Sequence, residues 1–217
     1  MSHDLIEWIR DHAPRTVALL IRHAHRHPIP QGAVEHEGVP LTLTGRRQAF
    51  AFGARLPPSY ALRLFHSPVH RCRETAEHIL NGFQTIGGSG HIMGAQDFLR
   101  INLVDQRTMV RILDELGHFQ FGFRWLRGAF DEAVIDDPRK VASTTIHGIL
   151  AWMEAGSVKR LDVHVTHDLN LLAVQDVIAP VANERFTWPA YLSGILVTQT
   201  DGHVTLIQPP LSKTLEI

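Results

Sequence analysis

Residues 22–28 read Arg-His-Ala-His-Arg-His-Pro, placing two guanidinium groups and three imidazoles within seven positions. Guanidinium pairs bidentately with phosphate oxygens, and a neutral imidazole near its ordinary pKa of about 6.5 can attack phosphorus at neutral pH. Further along lie Arg71 and the pair His167-Asp168. Arg22, Arg26, Arg71 and His167 together can surround a phosphoryl dianion with donors, leaving His23 as nucleophile. In a loose phosphoryl-transfer transition state, positioning and charge stabilisation are the main tasks, and fixed cations perform both without a metal. The leaving alkoxide still needs a proton. Asp168 is the nearest carboxyl in sequence to His167, and burial near a dianion would raise its pKa toward a usable value. The alternating histidines leave a rival open, a zinc site using His23, His25 and His167. The interleaved arginines oppose it, because they repel a cation.

Such a cluster works only if the chain folds it to one place. Thr16 to Ile21 (TVALLI) is a continuous apolar run bounded by polar residues, as expected of a strand buried on both faces of a parallel sheet. Leu62–Ser67, Leu161–Thr166 and Ile195–Thr200 read similarly, and Asp201-Gly202 predicts a hairpin from the last of these into Val204–Ile207. Between them the apolar spacing predicts helices over Thr44–Leu56 (opening on a Thr cap), Arg71–Leu80 and Leu169–Val177, and a helix face at Ile146, Ile149, Leu150 and Met153. Alternating strand and amphipathic helix predicts an α/β sandwich with helices on both faces of the sheet. The three polar clusters all follow strands, at the carboxyl edge where open α/β sheets bind ligands. Arg71 falls in the first turn of its helix, where a cation opposes the helix dipole unless an anion sits between them.

Composition narrows the function classes. The 217 residues, 44% hydrophobic and 20% charged, are expected to form one domain over residues 1–217, with loop or cap segments at about 27–40 and 84–130. A net charge of -1 lacks the basic excess usual in binders of nucleic acid or anionic lipid, so neither is expected as a partner. The lone Cys72 suits a reducing compartment, and MSHDLIEWIRDH lacks the basic start and apolar stretch of an export signal. The expectation is a cytoplasmic protein acting on a small phosphorylated substrate, with no cofactor and no metal; its oligomeric state is open.

These motifs resemble the histidine phosphatase superfamily, which includes the phosphoglycerate mutases and the histidine acid phosphatases. RHAHRHP is similar to the family's RH(G/A)xRxP signature, with His23 at the position that becomes phosphorylated. LTLTGRRQA (41–49) resembles its LTxxGxxQA helix start, SPVHRCRETA the segment bearing its third arginine, here Arg71, and THDL (166–169) its late histidine motif, here His167. The four matches occur in family order. The resemblance implies a three-layer α/β/α sandwich with a mostly parallel central sheet, phosphoglycerate mutase-like, and a two-step reaction through phosphohistidine. It leaves the proton donor divided. The His-Asp pair resembles the acid phosphatase branch, in which that aspartate is the donor. The compact length resembles the mutase branch, in which a mid-chain glutamate takes the role, here Glu115. Three activities stay open: a phosphomonoester hydrolase, a mutase that returns the phosphoryl group to a second hydroxyl, and a non-catalytic phospholigand-binding protein of the same fold.

Other residues have plainer readings. His164 alternates with valines in its strand and is expected to be a hydrogen-bonded core or edge residue. Cys72 is expected to be a small packed side chain. HFQFGFRW (118–125), with Arg100, Arg107, Arg111, Arg124 and Arg127, either caps the pocket or packs an apolar face on the core with solvated arginines opposite. Glu35 and Glu37 are expected on the surface.

Overall fold

In the computed structural model, residues 3–33, 37–153, 158–180, 187–200 and 202–216 are described. Asp201 of the expected hairpin turn, and Glu35, lie outside them.

Seven strands form one sheet in the order β3-β2-β4-β1-β5-β6-β7. They are β1 (Thr16–Arg22), β2 (Ala61–His66), β3 (Gly90–Ala95), β4 (Arg160–Thr166), β5 (Gly194–Thr200), β6 (His203–Gln208) and β7 (Leu211–Glu216). β3, β2, β4 and β1 are mutually parallel. β5, β6 and β7 then turn back antiparallel, one after another. The helices are α1 (His3–His12), α2 (Leu43–Gly53), α3 (His70–Thr85), α4 (Gln106–Leu126), α5 (Pro138–Leu150) and α6 (Asp168–Ile178).

Successive strand residues point to opposite faces, so each central strand feeds two cores. On β1, Val17, Leu19 and Ile21 join α1, α2 and α3 in one apolar cluster, while Ala18 and Leu20 join α4, α5 and α6 in the other. The continuous apolar run of β1 therefore has the explanation expected of it, burial on both faces, and the layers are helix, sheet, helix. On β4, Leu161, Val163 and Val165 face the first cluster. The alternate residues Asp162, His164 and Thr166 are buried polar side chains.

Some boundaries differ from the sequence reading, for physical reasons. α2 is capped by Thr42, two residues before the expected cap, and its hydroxyl accepts from Gly45 N (3.0 Å). β3 (GHIMGA) was not anticipated because Gly90 and Gly94, two of its six residues, hide strand propensity. α4 is a long helix broken at Gly117, whose φ of 71° interrupts the helical period. Among the described residues no helix is long and apolar enough to cross a membrane.

Candidate active site

The parallel register brings three chain segments to one sheet edge. Arg22 pairs with Thr166 across β1 and β4, and the ladder runs one step further as His23 N donates to Thr166 O (2.9 Å). Ser67 N likewise donates to Val165 O (2.9 Å) beyond β2. His23, Ser67 and His167 thus leave the ends of three neighbouring strands side by side.

The segment after β1 is pinned by its neighbours. Thr75 Oγ1 accepts from Ala24 N (3.1 Å) and donates to Arg71 O (2.7 Å), tying α3 to the His23 loop. The buried Glu74 carboxylate accepts from Leu41 N (2.7 Å) and Arg46 Nε (2.6 Å), tying α3 to the start of α2. At Gly45 any Cβ would run into the carbonyl of His25, so α2 presses directly on the loop's backbone. These contacts give the RETA and LTLTG segments a physical purpose, which is to hold the imidazole of His23 still.

At the centre, Arg71 bridges two imidazoles: its Nε lies 3.1 Å from His23 Nε2, and its Nη2 lies 3.2 Å from His167 Nδ1. The two rings stand edge to face with centroids 5.6 Å apart. His23 Nδ1 lies 2.8 Å from the Ala24 carbonyl, which can only accept, so the proton sits on Nδ1 and the lone pair on Nε2. Burial, then the charges of Arg71 and Arg22, push the His23 pKa down to about 3, which keeps the ring neutral. By the same logic, His167 Nδ1 accepts from Arg71 and Nε2 donates to Ser67 Oγ (2.9 Å). Behind this pair Cys72 is fully buried, and burial pushes its thiol up to about 12, so it is a packed neutral group as expected.

Asp168 begins α6. One of its oxygens receives Arg22 Nη2 (2.8 Å) and Trp188 Nε1 (3.2 Å). Burial pushes this carboxyl up, but Arg22, His23 and His167 outweigh that and hold it well below the usual carboxylate range. Arg22 also donates Nη1 to Pro189 O (2.7 Å) and lies 4.2 Å over the Tyr191 ring.

A cleft of about 300 Å³ opens onto this cluster, lined at one end by His23, Arg26, Arg71, His167 and Asp168. Arg22 is not among its lining residues; it stands behind Asp168 and acts on the cleft through that carboxylate. Arg26 lines the cleft and turns Nη1 to the carbonyl of His27 (2.8 Å). His25 points away, to Thr42 Oγ1 (2.8 Å) and the edge of Tyr191, so it does not join His23 and His167 as the zinc reading requires. Glu115 is not brought to His23. The helical phase of α4 turns it to the exposed side, where with Arg107 and Arg111 it lines a shallow depression that shares Gln31, Gly32, Val110 and Asp114 with the cleft; Leu113 lines the cleft only.

Three contributors were not foreseen. Trp188 and Tyr191 sit on the irregular segment before β5, where no periodicity marks them. Asn170 is buried (1% exposed), lines the cleft and has neither carboxamide heteroatom hydrogen-bonded among the described residues. HFQFGFRW answers to both of its readings, since Phe121 and Trp125 enter the core while His118 and Phe121 also line the cleft.

Comparison with known proteins points the same way. Residues 18–86 match the family model of the histidine phosphatase superfamily (branch 1), a stretch containing His23 and Arg71. No curated protein matches the sequence. Among solved structures, YhfR of Bacillus stearothermophilus is similar over 86% of this chain and 93% of its own, at 19% identity and a TM-score of 0.65. The mycobacterial glucosyl-3-phosphoglycerate phosphatase in complex with VO3 is similar over 84% and 92%, at 19% identity and 0.59. A phosphoglycerate mutase from Bacillus anthracis is similar over 93% and 92%, at 14% identity and 0.58. At these identities the likeness is one of fold, and it includes phosphatases and a mutase alike. The match over residues 18–86 and the fold over most of the chain agree that this protein has the fold and the motif segment of the histidine phosphatase superfamily.

Proposed function

We propose that this protein is a metal-independent phosphomonoester hydrolase working through a phosphohistidine on His23. The observation that carries the reading is the tautomer: the Ala24 carbonyl holds the proton on Nδ1, so the Nε2 lone pair faces Arg71 and the cleft. A phosphoryl dianion entering there takes Arg71 away from the two imidazoles, because a charge-assisted bond to a phosphate oxygen is stronger than one to a neutral ring nitrogen. Arg26, Arg71 and His167 hold its oxygens, and Arg22 adds charge from behind Asp168. Nε2 attacks phosphorus in line as the ester oxygen leaves.

Asp168 is the proton donor in this reading. The dianion's field opposes that of the cations which hold the carboxyl ionised, raising its affinity for a proton that it then delivers to the leaving alkoxide. In the second step the resulting carboxylate takes a proton from water as the water attacks phosphorus, and phosphate is released. The chain stays in one domain-sized unit around this cleft, with segments 27–40 and 84–130 forming its rim, and it works in the cytoplasm on a small soluble phosphoester.

The test is phosphate release from an aryl phosphate in excess chelator, with acid quench for acid-labile phosphate on the protein. Turnover by the wild type, none by His23→Ala and a trapped phosphohistidine are the expected results. Equal turnover by His23→Ala would overturn the reading. A phosphorylated protein that releases phosphate only to an added alcohol would make it a mutase instead.

A further inference from the structure

Beyond the cationic end, the cleft changes character. Its far wall is built from Ile101, Leu103, Met109, Val110, Leu113 and Phe121, on α4 and the segment leading into it. Ile29 and Pro30 face in from the loop after β1. The ionisable groups lining this part are Glu37, Arg100, Asp114 and His118, and the one arginine among them is already paired with Glu37, so no uncommitted guanidinium of this lining is offered to a second anion. Asp114 and Glu37 line it as exposed carboxylates, and the arginine at the rim, Arg100, is engaged by Glu37 (3.2 Å). A substrate whose alcohol carries a carboxylate or a second phosphate would face Asp114 with its own charge. An apolar alcohol would instead cover side chains already turned toward the cleft.

Resting on the hydrolase reading above, we infer that the leaving group is an uncharged, apolar alcohol, alkyl or aryl, seated against the Met109–Leu113 face of α4. Selection then comes from two terms that act together: apolar burial favours the hydrocarbon body, and Asp114 disfavours anionic ones, the Glu37 charge being balanced by Arg100. The chemistry at phosphorus is unchanged. The P–O bond to the apolar alcohol breaks, His23 Nε2 takes the phosphoryl group, and the alcohol leaves with the proton from Asp168.

Non-hydrolysable n-alkylphosphonates from methyl to octyl, titrated calorimetrically into the full-length protein, test this without requiring turnover. Affinity should rise about three- to fourfold for each methylene that reaches the wall, the gain expected of full burial. A phosphonate of matched length ending in a carboxylate should bind at least about tenfold more weakly than its alkyl counterpart. Leu113→Asp should flatten the chain-length dependence. A flat or falling series while inorganic phosphate still binds, or equal binding of the carboxylate-ended probe, would overturn the apolar alcohol and leave the hydrolase reading standing. Failure of both phosphate and every phosphonate to bind would remove both.

Discussion

Two buried imidazoles, His164 within β4 and His23 just past the end of β1, make an instructive pair. His23 is 2% exposed and His164 fully buried, and burial is the first cause that pushes each down to about 3. Their surroundings differ. His164 is stacked on Phe65 with ring centroids 4.5 Å apart and planes nearly parallel, Phe98 lies tilted with its centroid 6.0 Å away, and neither nitrogen has a hydrogen-bond partner among the described residues. It is a core residue, but not the hydrogen-bonded one the sequence suggested. His23 has both nitrogens committed, one to a carbonyl and one to an arginine, and opens on a cleft. Desolvation makes an imidazole neutral in either place. A fixed tautomer and an exit for the lone pair are what the proposed nucleophile has and His164 lacks.

The largest effect that would test the contrast is substitution. His23→Ala should cost about 10^4-fold or more in kcat, as removal of a nucleophile does, whereas His164→Leu should leave kcat within a few fold; comparable losses in the two variants would erase the distinction. Next in size, Asp168→Asn should lower kcat on an alkyl phosphate by about 10^2- to 10^4-fold. It should do far less on p-nitrophenyl phosphate, whose leaving group needs no proton. Equal losses on both substrates would remove Asp168 as the donor.

A smaller effect separates the imidazoles by pH. Below about pH 6.5 the unfolded chain binds a proton on each of these imidazoles, while the folded protein does not until about pH 3. Their contribution to stability is therefore complete above 6.5 and is lost as the pH falls toward 3. The slope approaches about 1.4 kcal/mol per pH unit for each proton. His164→Leu should remove about one proton's worth of that slope in urea unfolding between pH 6 and 4, and should not lower stability at pH 7, because it deletes two unpaired buried nitrogens. Inorganic phosphate should raise the wild-type urea midpoint, and the gain should shrink in Arg71→Ala, which loses a guanidinium proposed to hold its oxygens. The smallest effect is Thr42→Ala, which should cost about 1 kcal/mol of stability through the lost α2 cap. It should also loosen His25, and an unchanged unfolding midpoint would show that the hydroxyl does not act as the cap.

Much of the site was legible in the sequence because a parallel sheet converts strand ends into neighbours. His23, Arg71 and His167 lie 48 and 96 residues apart in pairs, yet each follows an apolar run that could only be a buried strand. Arg22 was legible as a cation, but its geometry was not. Whether it faces a ligand or backs Asp168 depends on Pro189 and Tyr191, which arrive from an irregular segment. The placement of Glu115 relative to the cleft was illegible for a similar reason, since the phase of α4 before its break at Gly117 is set by tertiary packing, with Met109 turned into the core. β7 was not legible because an edge strand exposed along nearly its whole length (LSKTLE), with only Leu215 partly covered, has no apolar run to announce it. His164 was misjudged in the opposite direction: alternation located its face correctly but carried no information about the aromatic rings that would enclose it.

The break in α4 at Gly117 divides labour along one helix. The turns after it are fastened into the interior by Phe121 and Trp125, while the turns before it, tied to the core by Met109, line the cleft with Val110, Leu113 and Asp114. Exchanging residues 106–116 as a cassette should re-tune which alcohols are accepted while the phosphorus-handling end, built on three strand ends, stays as it is.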